Sequence, residues 1–317
     1  MFSVFGRLDI RMSANAASIY NRLRDGVKAG IIPGARQMDG ALTAFAAESC
    51  MRRLQAAGML DEVVLKGARL WSAWGQNTSR PTSDFDYSAQ VPNLRGSGSE
   101  SSKVYGGRVL QALCQDVDDG LIISPDGFKI SPVDSRLGGC AVEGIAKLHT
   151  AQVRVIVEIG FGHTLPEGAT SPVEWRPTLK GVGEPLRVRA YTPEMWLAEK
   201  IRIALDYGEE NTRLKDFFDM HALLSMPMNH DLLRSCLAAT CDDFGVEIPA
   251  SAEEAPGLSD EFGQRGARLW RDRRWPEWAG RPFKKGVDPE FPQVVQQIRE
   301  GIDARELFRP QGLGLGR

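Results

Sequence analysis

Two carboxylates, Asp84 and Asp86, stand two residues apart in the run Ser83-Asp84-Phe85-Asp86-Tyr87. In a strand, alternation puts both acids on one face and Phe85 and Tyr87 on the other. The acids then lie about 7 Å apart along the chain and repel each other unless a cation bridges them. Mg²⁺ suits such oxygens and completes its shell with nucleotide phosphates. The alternative is a solvated edge strand carrying two surface acids. A second apolar run, residues 153–159, has strand character and puts Arg154, Ile156 and Glu158 on one face. Paired beside the first strand, Glu158 becomes a third carboxylate, as two-metal phosphoryl transfer requires. Otherwise Glu158 is an edge-strand acid paired with Arg154.

Cationic groups flank this pattern. A buried strand candidate, Val63-Val64-Leu65, runs into Lys66-Gly67-Ala68. Small residues at such a turn let backbone N–H groups approach a phosphate, and Lys66 adds a point charge. Later, Lys200 lies off the helical stripe of Leu197, Ile201, Ala204 and Leu205 that must face a core. Arg213, Lys215, Asp216 and Asp219 interleave with Leu214, Phe217, Phe218 and Met220. Their i,i+3 and i,i+4 spacings fit surface helix pairs worth about 0.3 kcal/mol each. The alternative is a set in which Lys200, Arg213 and Lys215 reach nucleotide phosphates while Asp216 orients one of them; the residues alone favour the surface pairs.

Taken together, five motifs resemble those of the AbiEii/AbiGii nucleotidyltransferase toxins, also called MenA-type. They are Leu65-Lys66-Gly67-Ala68, the run from Arg80 through Thr82 to Asp86, Glu158-Ile159-Gly160-Phe161-Gly162-His163, Glu199-Lys200, and the run from Thr212 to Met220. Order and spacing agree, and the resemblance covers residues 15–305. It implies an α+β chain: a polymerase-β-like nucleotidyltransferase core, a mixed sheet flanked by helices, followed by a helical C-terminal domain. It also implies an NTP as substrate, Mg²⁺ with Mn²⁺ as the alternative, and an RNA acceptor, in some members the 3′ end of tRNA. A cognate antitoxin encoded by an adjacent gene is a further implied partner. The resemblance carries metal binding onto Asp84, Asp86 and Glu158. Nucleotide contacts fall on Lys66, Gly67, Ala68, Arg80, Lys200 and Arg213, and catalytic roles on Lys200, Lys215 and Asp216. The sequence departs from the pattern at Ala68, where a second glycine is usual, at Glu158, where Asp is usual, and at His163, which replaces an acid. Transfer of AMP or UMP to a protein hydroxyl, and nucleotide or RNA binding without catalysis, remain the competing functions.

The elements that must hold these residues follow from periodicity. Residues 12–58 read as helical, broken at 30–34. Strands are expected at 63–65, 84–87, 121–123 and 153–159, with a Gly/Ser-rich loop at 93–102. Thr192 caps a helix over 195–207 that Gly208 ends, and Asn211 or Thr212 caps a second running to 225. A division into residues 1–185, the core with its N-terminal helices, and 186–317, the helical part completing the cleft, fits this texture.

Composition sets the outer limits. The 317 residues are 42% hydrophobic and 25% charged, as in a soluble globular protein, with net charge -2. That charge excludes a global field for nucleic acid and leaves binding to local patches. One such patch is the segment 265–285, where Arg265, Arg268, Arg271, Arg273, Arg274, Arg281, Lys284 and Lys285 face only Asp272 and Glu277. Trp270, Trp275 and Trp278 are interleaved, either to stack on unpaired bases or to pin the tail into a core. No apolar run approaches a membrane span and residues 1–17 have no signal-peptide core, so a cytoplasmic protein without a membrane partner is expected. The five scattered cysteines read as buried free thiols.

Overall fold

The computed structural model of the chain describes residues 14–32, 35, 37–75, 82, 84–96, 98–272 and 289–308. Helices α1 (Ala14–Lys28) and α2 (Met38–Ala56) precede the first strand. Eight strands follow: β1 (Val63–Lys66), β2 (Asp84–Ala89), β3 (Leu121–Ile122), β4 (Phe128–Pro132), β5 (Gly139–Leu148), β6 (Ala151–Phe161), β7 (Thr170–Trp175) and β8 (Leu186–Tyr191). They form one mixed sheet in the order β3-β5-β6-β2-β1-β8-β7, with β4 paired to β5. At its centre β2 runs parallel to β6 and antiparallel to β1.

One face of this sheet is apolar and covered. Phe85, Tyr87, Val157 and Ile159 point into it and are fully buried. Helix α2 lies against β6, and α4 (Ser99–Leu113) lies against β4 and β5. The opposite face is covered only in part. Helices α3 (Leu70–Ala73) and α5 (Pro193–Tyr207) pack against β8, while β4, β5 and β6 leave Lys129, Ile145 and Arg154 exposed.

The helical part continues with α6 (Leu214–Leu224), α7 (His230–Phe244), α8 (Asp260–Asp272) and α9 (Phe291–Asp303). Its core is aromatic. Phe217, Phe262 and Trp270 gather round Phe291 with ring centroids 5.3, 5.6 and 4.7 Å from it. Such packing adds to the area that each ring buries. Thr192 caps α5 by accepting a hydrogen bond from Met195 N at 3.4 Å, and Gly208 closes the helix with φ 52°.

Several expectations need correction. The loop expected over 93–102 ends early, because α4 begins at Ser99. Neither Asn211 nor Thr212 caps α6; Asn211 Oδ1 accepts from Arg213 N instead, just ahead of the helix. Strands β4, β5, β7 and β8 were not expected. In β8, Leu186, Val188 and Ala190 are buried while Arg187 and Arg189 are exposed, a period of two in a run too short to stand out. The sheet therefore extends to Tyr191. The five cysteines are free thiols, four of them buried. Among the described residues no helix is long and apolar enough to cross a membrane.

Candidate active site

Strand register brings three charged side chains into one row. Lys66 on β1 pairs with Asp86 on β2, and Asp86 pairs with Glu158 on β6. Paired residues point to the same face, so Lys66, Asp86 and Glu158 stand side by side across three adjacent strands. Asp84 lies on the same face one step along β2, opposite Ile156. Phe85 and Tyr87 are buried on the other side, as alternation requires. The solvated edge strand is excluded, since β2 is central. The alternative for Glu158 also falls: Arg154 binds Glu143, through Nη2 at 2.5 Å, and Glu158 is exposed with no ion-pair partner among the described residues.

Burial pushes the Asp86 carboxyl up to about 6, assisted by the negative charges of Glu158 and Asp84 and opposed by Lys66 and Lys215. Burial, more than the neighbouring acids, thus disfavours charge on Asp86. The turn after β1 is shaped around this carboxylate. Gly67 has φ +72°, and a Cβ built on it would collide with the Asp86 carboxylate. Glycine is required there twice over, for its backbone and for the space it leaves. Ala68 stays out of the positive-φ region, so a side chain at that position strains nothing. Arg69, not singled out in the sequence, is buried beside the pair. It donates to Thr82 O at 2.9 Å and lies over the Phe85 ring, tying the approach to β2 onto the turn.

The residues fit a divalent cation of one kind. Among the described residues no three His, Cys, Asp or Glu side chains converge into a ready-made metal cage. Two carboxylates on one face are instead the kind of donor set that suits a cation whose remaining ligands come from a nucleotide's phosphates.

Facing these acids are helices α5 and α6. Lys200 is 5% exposed and gives Nζ to Asp216 Oδ1 at 2.6 Å and to Asp219 Oδ2 at 3.0 Å, with the Trp196 ring 5.0 Å from Nζ. Although it lies off the expected core stripe, α5 is buried on a second face against α6. Lys200 is thus an interior cation rather than an open phosphate contact. Asp219 also accepts from Trp71 Nε1 at 3.2 Å, which ties α3 to α6. Asp216 receives Arg213 Nε at 2.7 Å. Burial raises the Asp216 carboxyl, but Lys200 and Arg213 outweigh it and hold the group well below the usual range. Arg213 keeps nearly half of its side chain in solvent. Its charge, like that of Lys215, lies within electrostatic reach of Asp86.

A third group joins residues of separate motifs that the sequence did not bring together. Glu199 Oε1 accepts from Lys66 Nζ at 3.2 Å and from Tyr191 OH at 3.3 Å. His163 Nδ1 lies 3.4 Å from the same oxygen. Burial, and then Lys66, push the His163 imidazole down to about 4, so it is neutral at pH 7. His163 belongs to this buried cluster and not to the acid row. Arg80 lies outside the described residues. So does most of the 265–285 patch; within it, Trp270 is 1% exposed and Arg265 is bound to Glu209.

The face holding the acids continues uncovered over β6, β5 and β4. A depression of about 360 Å³, lined by Phe128, Lys129, Glu143, Ile145 and Arg154 among others, lies there rather than over the acids themselves.

A family model described as "Nucleotidyl transferase AbiEii toxin, Type IV TA system" matches residues 49–297. Among solved structures, the chain is similar to MenT4, a nucleotidyltransferase toxin of Mycobacterium tuberculosis H37Rv, at 17% identity and a TM-score of 0.44, over 93% of this chain and 99% of that one. JHP933 of Helicobacter pylori is similar at 16% identity and a TM-score of 0.42, over 82% of this chain and 90% of that one. An antigenic nucleotidyltransferase-like protein of Paracoccidioides brasiliensis is similar at 15% identity and a TM-score of 0.32, over 77% and 94%. No curated protein matches the chain.

Proposed function

This chain belongs to the AbiEii nucleotidyl transferase toxin family, and we propose that it transfers a nucleotide from an NTP to an RNA 3′ end at the acid row of β2 and β6. The carrying observation is that row itself, Lys66, Asp86 and Glu158 abreast with Asp84 beside them. Family membership makes the protein a nucleotidyltransferase with an NTP substrate, and a toxin of a two-component system implies an antitoxin partner. That this antitoxin is encoded by an adjacent gene is part of the proposal.

Asp84 and Asp86 are the residues we assign to a divalent cation, Mg²⁺ or in its place Mn²⁺, with Glu158 as the third acid. Bound there with the nucleotide, the cation supplies neutralising charge to the phosphoryl oxygens. The protein's own groups do the rest. Arg213, its Nε fixed by Asp216, turns the remaining donors of its guanidinium to the phosphates. Lys66 adds a second positive charge from the sheet side, and the Gly67-Ala68 turn offers backbone N–H groups. Lys215 adds charge beside Asp86, and Arg80 is assigned to the nucleotide on the motif alone. Lys200 acts at one remove, by fixing Asp216. Glu158, exposed and without an ion-pair partner among the described residues, takes the proton of the attacking hydroxyl as its oxygen bonds to the α-phosphorus and the bond to the β-phosphate breaks, releasing pyrophosphate.

Three features bear on the competing functions. Ala68 needs no positive φ, Glu158 keeps its place in the acid row, and His163 stands apart from it. The sequence departures therefore lend little support to a non-catalytic protein. The open sheet over β4 to β6 supports an extended acceptor arriving from that side. Burial of Trp270 and engagement of Arg265 remove two expected RNA contacts, which keeps a protein hydroxyl as the second reading. Purified protein given each α-labelled NTP with separate RNA and protein pools tests the proposal. Label in RNA supports it; label in protein alone, or in neither, overturns it.

A further inference from the structure

Lys66 poses a problem for the acid row. Cross-strand partners in an antiparallel pair hold their Cβ atoms about 5 Å apart, and Lys66 is the direct partner of Asp86. A lysine so placed can swing its ammonium onto the carboxylate, where it would occupy the position a metal ion needs. In this protein it does not: among the described residues the ion pair that Lys66 makes is with Glu199, at 3.2 Å, and none is made with Asp86.

The Glu199 side is built to keep it there. Glu199 comes from α5, 133 residues away in sequence; it also accepts from the Tyr191 hydroxyl, and the neutral His163 ring packs 3.4 Å away. Burial would raise its carboxyl, but the neighbouring positive charge, chiefly that of Lys66, outweighs that and lowers it, so it stays ionised. Gly160 clears the lane between them: a Cβ there would strike His163 Nε2 and come within 3.9 Å of Lys66 Nζ. The ammonium is thus drawn along the sheet away from Asp86.

We infer that Glu199 is a positioning residue that tethers Lys66 and keeps its ammonium off Asp86, leaving the Asp86 carboxylate open to a divalent cation. This rests on the assignment of Asp84 and Asp86 as the metal site. Without the tether, the ammonium moves to the Asp86 carboxylate, and a divalent cation must displace it before binding. A charge at that distance changes the preference of a carboxylate for its partner by about tenfold or more.

The test uses the full chain without nucleotide and Mn²⁺ alone, with free Mn²⁺ followed by electron paramagnetic resonance. Glu199→Gln, which keeps the shape of the side chain and loses its charge, is expected to bind Mn²⁺ about tenfold more weakly than wild type. Lys66→Met is expected to bind at least as tightly as wild type. The double variant is expected to match Lys66→Met, because no ammonium remains to be held. A merely structural role for Glu199 would instead weaken binding equally in both backgrounds. Tyr191→Phe, which loosens Glu199 without changing charge, gives a smaller loss in the same direction and serves if Glu199→Gln does not fold. The inference is overturned if Glu199→Gln, or in its place Tyr191→Phe, binds like wild type. A loss that persists in the Lys66→Met background also overturns it. The underlying metal assignment fails separately, and the inference with it, if wild type binds no Mn²⁺ or if Asp86→Asn binds as tightly as wild type.

Discussion

Replacing Asp86 with Asn is expected to stabilise the metal-free protein, and to do so only toward neutral and higher pH. The folded-state carboxyl is raised from its ordinary 3.8 to about 6, chiefly by burial and then by Glu158. A raised folded value means that the favourable contribution is complete below about pH 3.8 and is lost as pH rises through about 6. At pH 8 the wild-type protein therefore carries the whole penalty, while Asn carries none. A rise of this size corresponds to about 3 kcal/mol at most, at roughly 1.4 kcal/mol per pH unit. Asp86 keeps partial solvent contact, which screens the charge, so the expected gain is about 1–2 kcal/mol. That is a rise in Tm of roughly 2–4 °C for a chain of this size. Thermal unfolding in EDTA at pH 8 and at pH 4 measures it. The gain should be present at pH 8 and absent at pH 4, and added Mn²⁺ should stabilise wild type alone. A variant no more stable than wild type at pH 8, or equally stabilised at both pH values, would refute the argument that the fold disfavours charge on Asp86.

The other expectations concern single contacts. Gly67→Ala should abolish nucleotide transfer and cost about 1–3 kcal/mol, because it forces positive φ on a side chain and drives it into Asp86; labelling assays and urea unfolding report the two effects. Arg213→Ala should weaken NTP binding about tenfold while changing stability by less than about 1 kcal/mol, since it removes a half-exposed charge-assisted donor. Lys200→Met should do the reverse at first sight, costing about 3–5 kcal/mol by leaving Asp216 and Asp219 buried without their cation; calorimetry and nucleotide titration of the two variants side by side separate these roles. Joint charge reversal of Arg273 and Arg274 should weaken RNA binding and flatten its salt dependence, and binding unchanged between about 50 and 200 mM salt would remove this segment from the RNA path.

The parts of the site that were legible in sequence are those governed by local period. Alternation in 84–87 and 153–159 was enough to put Asp84, Asp86 and Glu158 on their faces. Which strands adjoin was a matter of resemblance, because register is decided by long-range pairing. Buried charge was the least legible feature. Lys200 was read as open because it lies off one stripe of α5, yet that helix is wrapped on two sides. Glu199 stood in a motif but was given no role, because its neighbours, Lys66, Tyr191 and His163, come from three separate strands or their ends. Gly67 was expected to admit a phosphate; that it also admits Asp86 follows only from the packed turn. The omitted strands share one cause. In β8 the exposed Arg187 and Arg189 alternate with only three buried apolar residues, and in β5 Gly144 and the exposed Ile145 interrupt the alternation, so the apolar signal of both is weak.

The account stands or falls on α-label transfer by purified protein to RNA, run with wild type, Asp84→Asn and Asp86→Asn in parallel. It predicts that wild type places the label on an RNA 3′ end in the presence of Mg²⁺ or Mn²⁺, that EDTA stops it, and that each substitution reduces transfer at least about 100-fold, as losing a metal-binding or oriented catalytic group does. Asn variants that transfer label at the wild-type rate would contradict the assignment of Asp84 and Asp86 to the reaction. Label appearing only in protein would contradict the RNA acceptor.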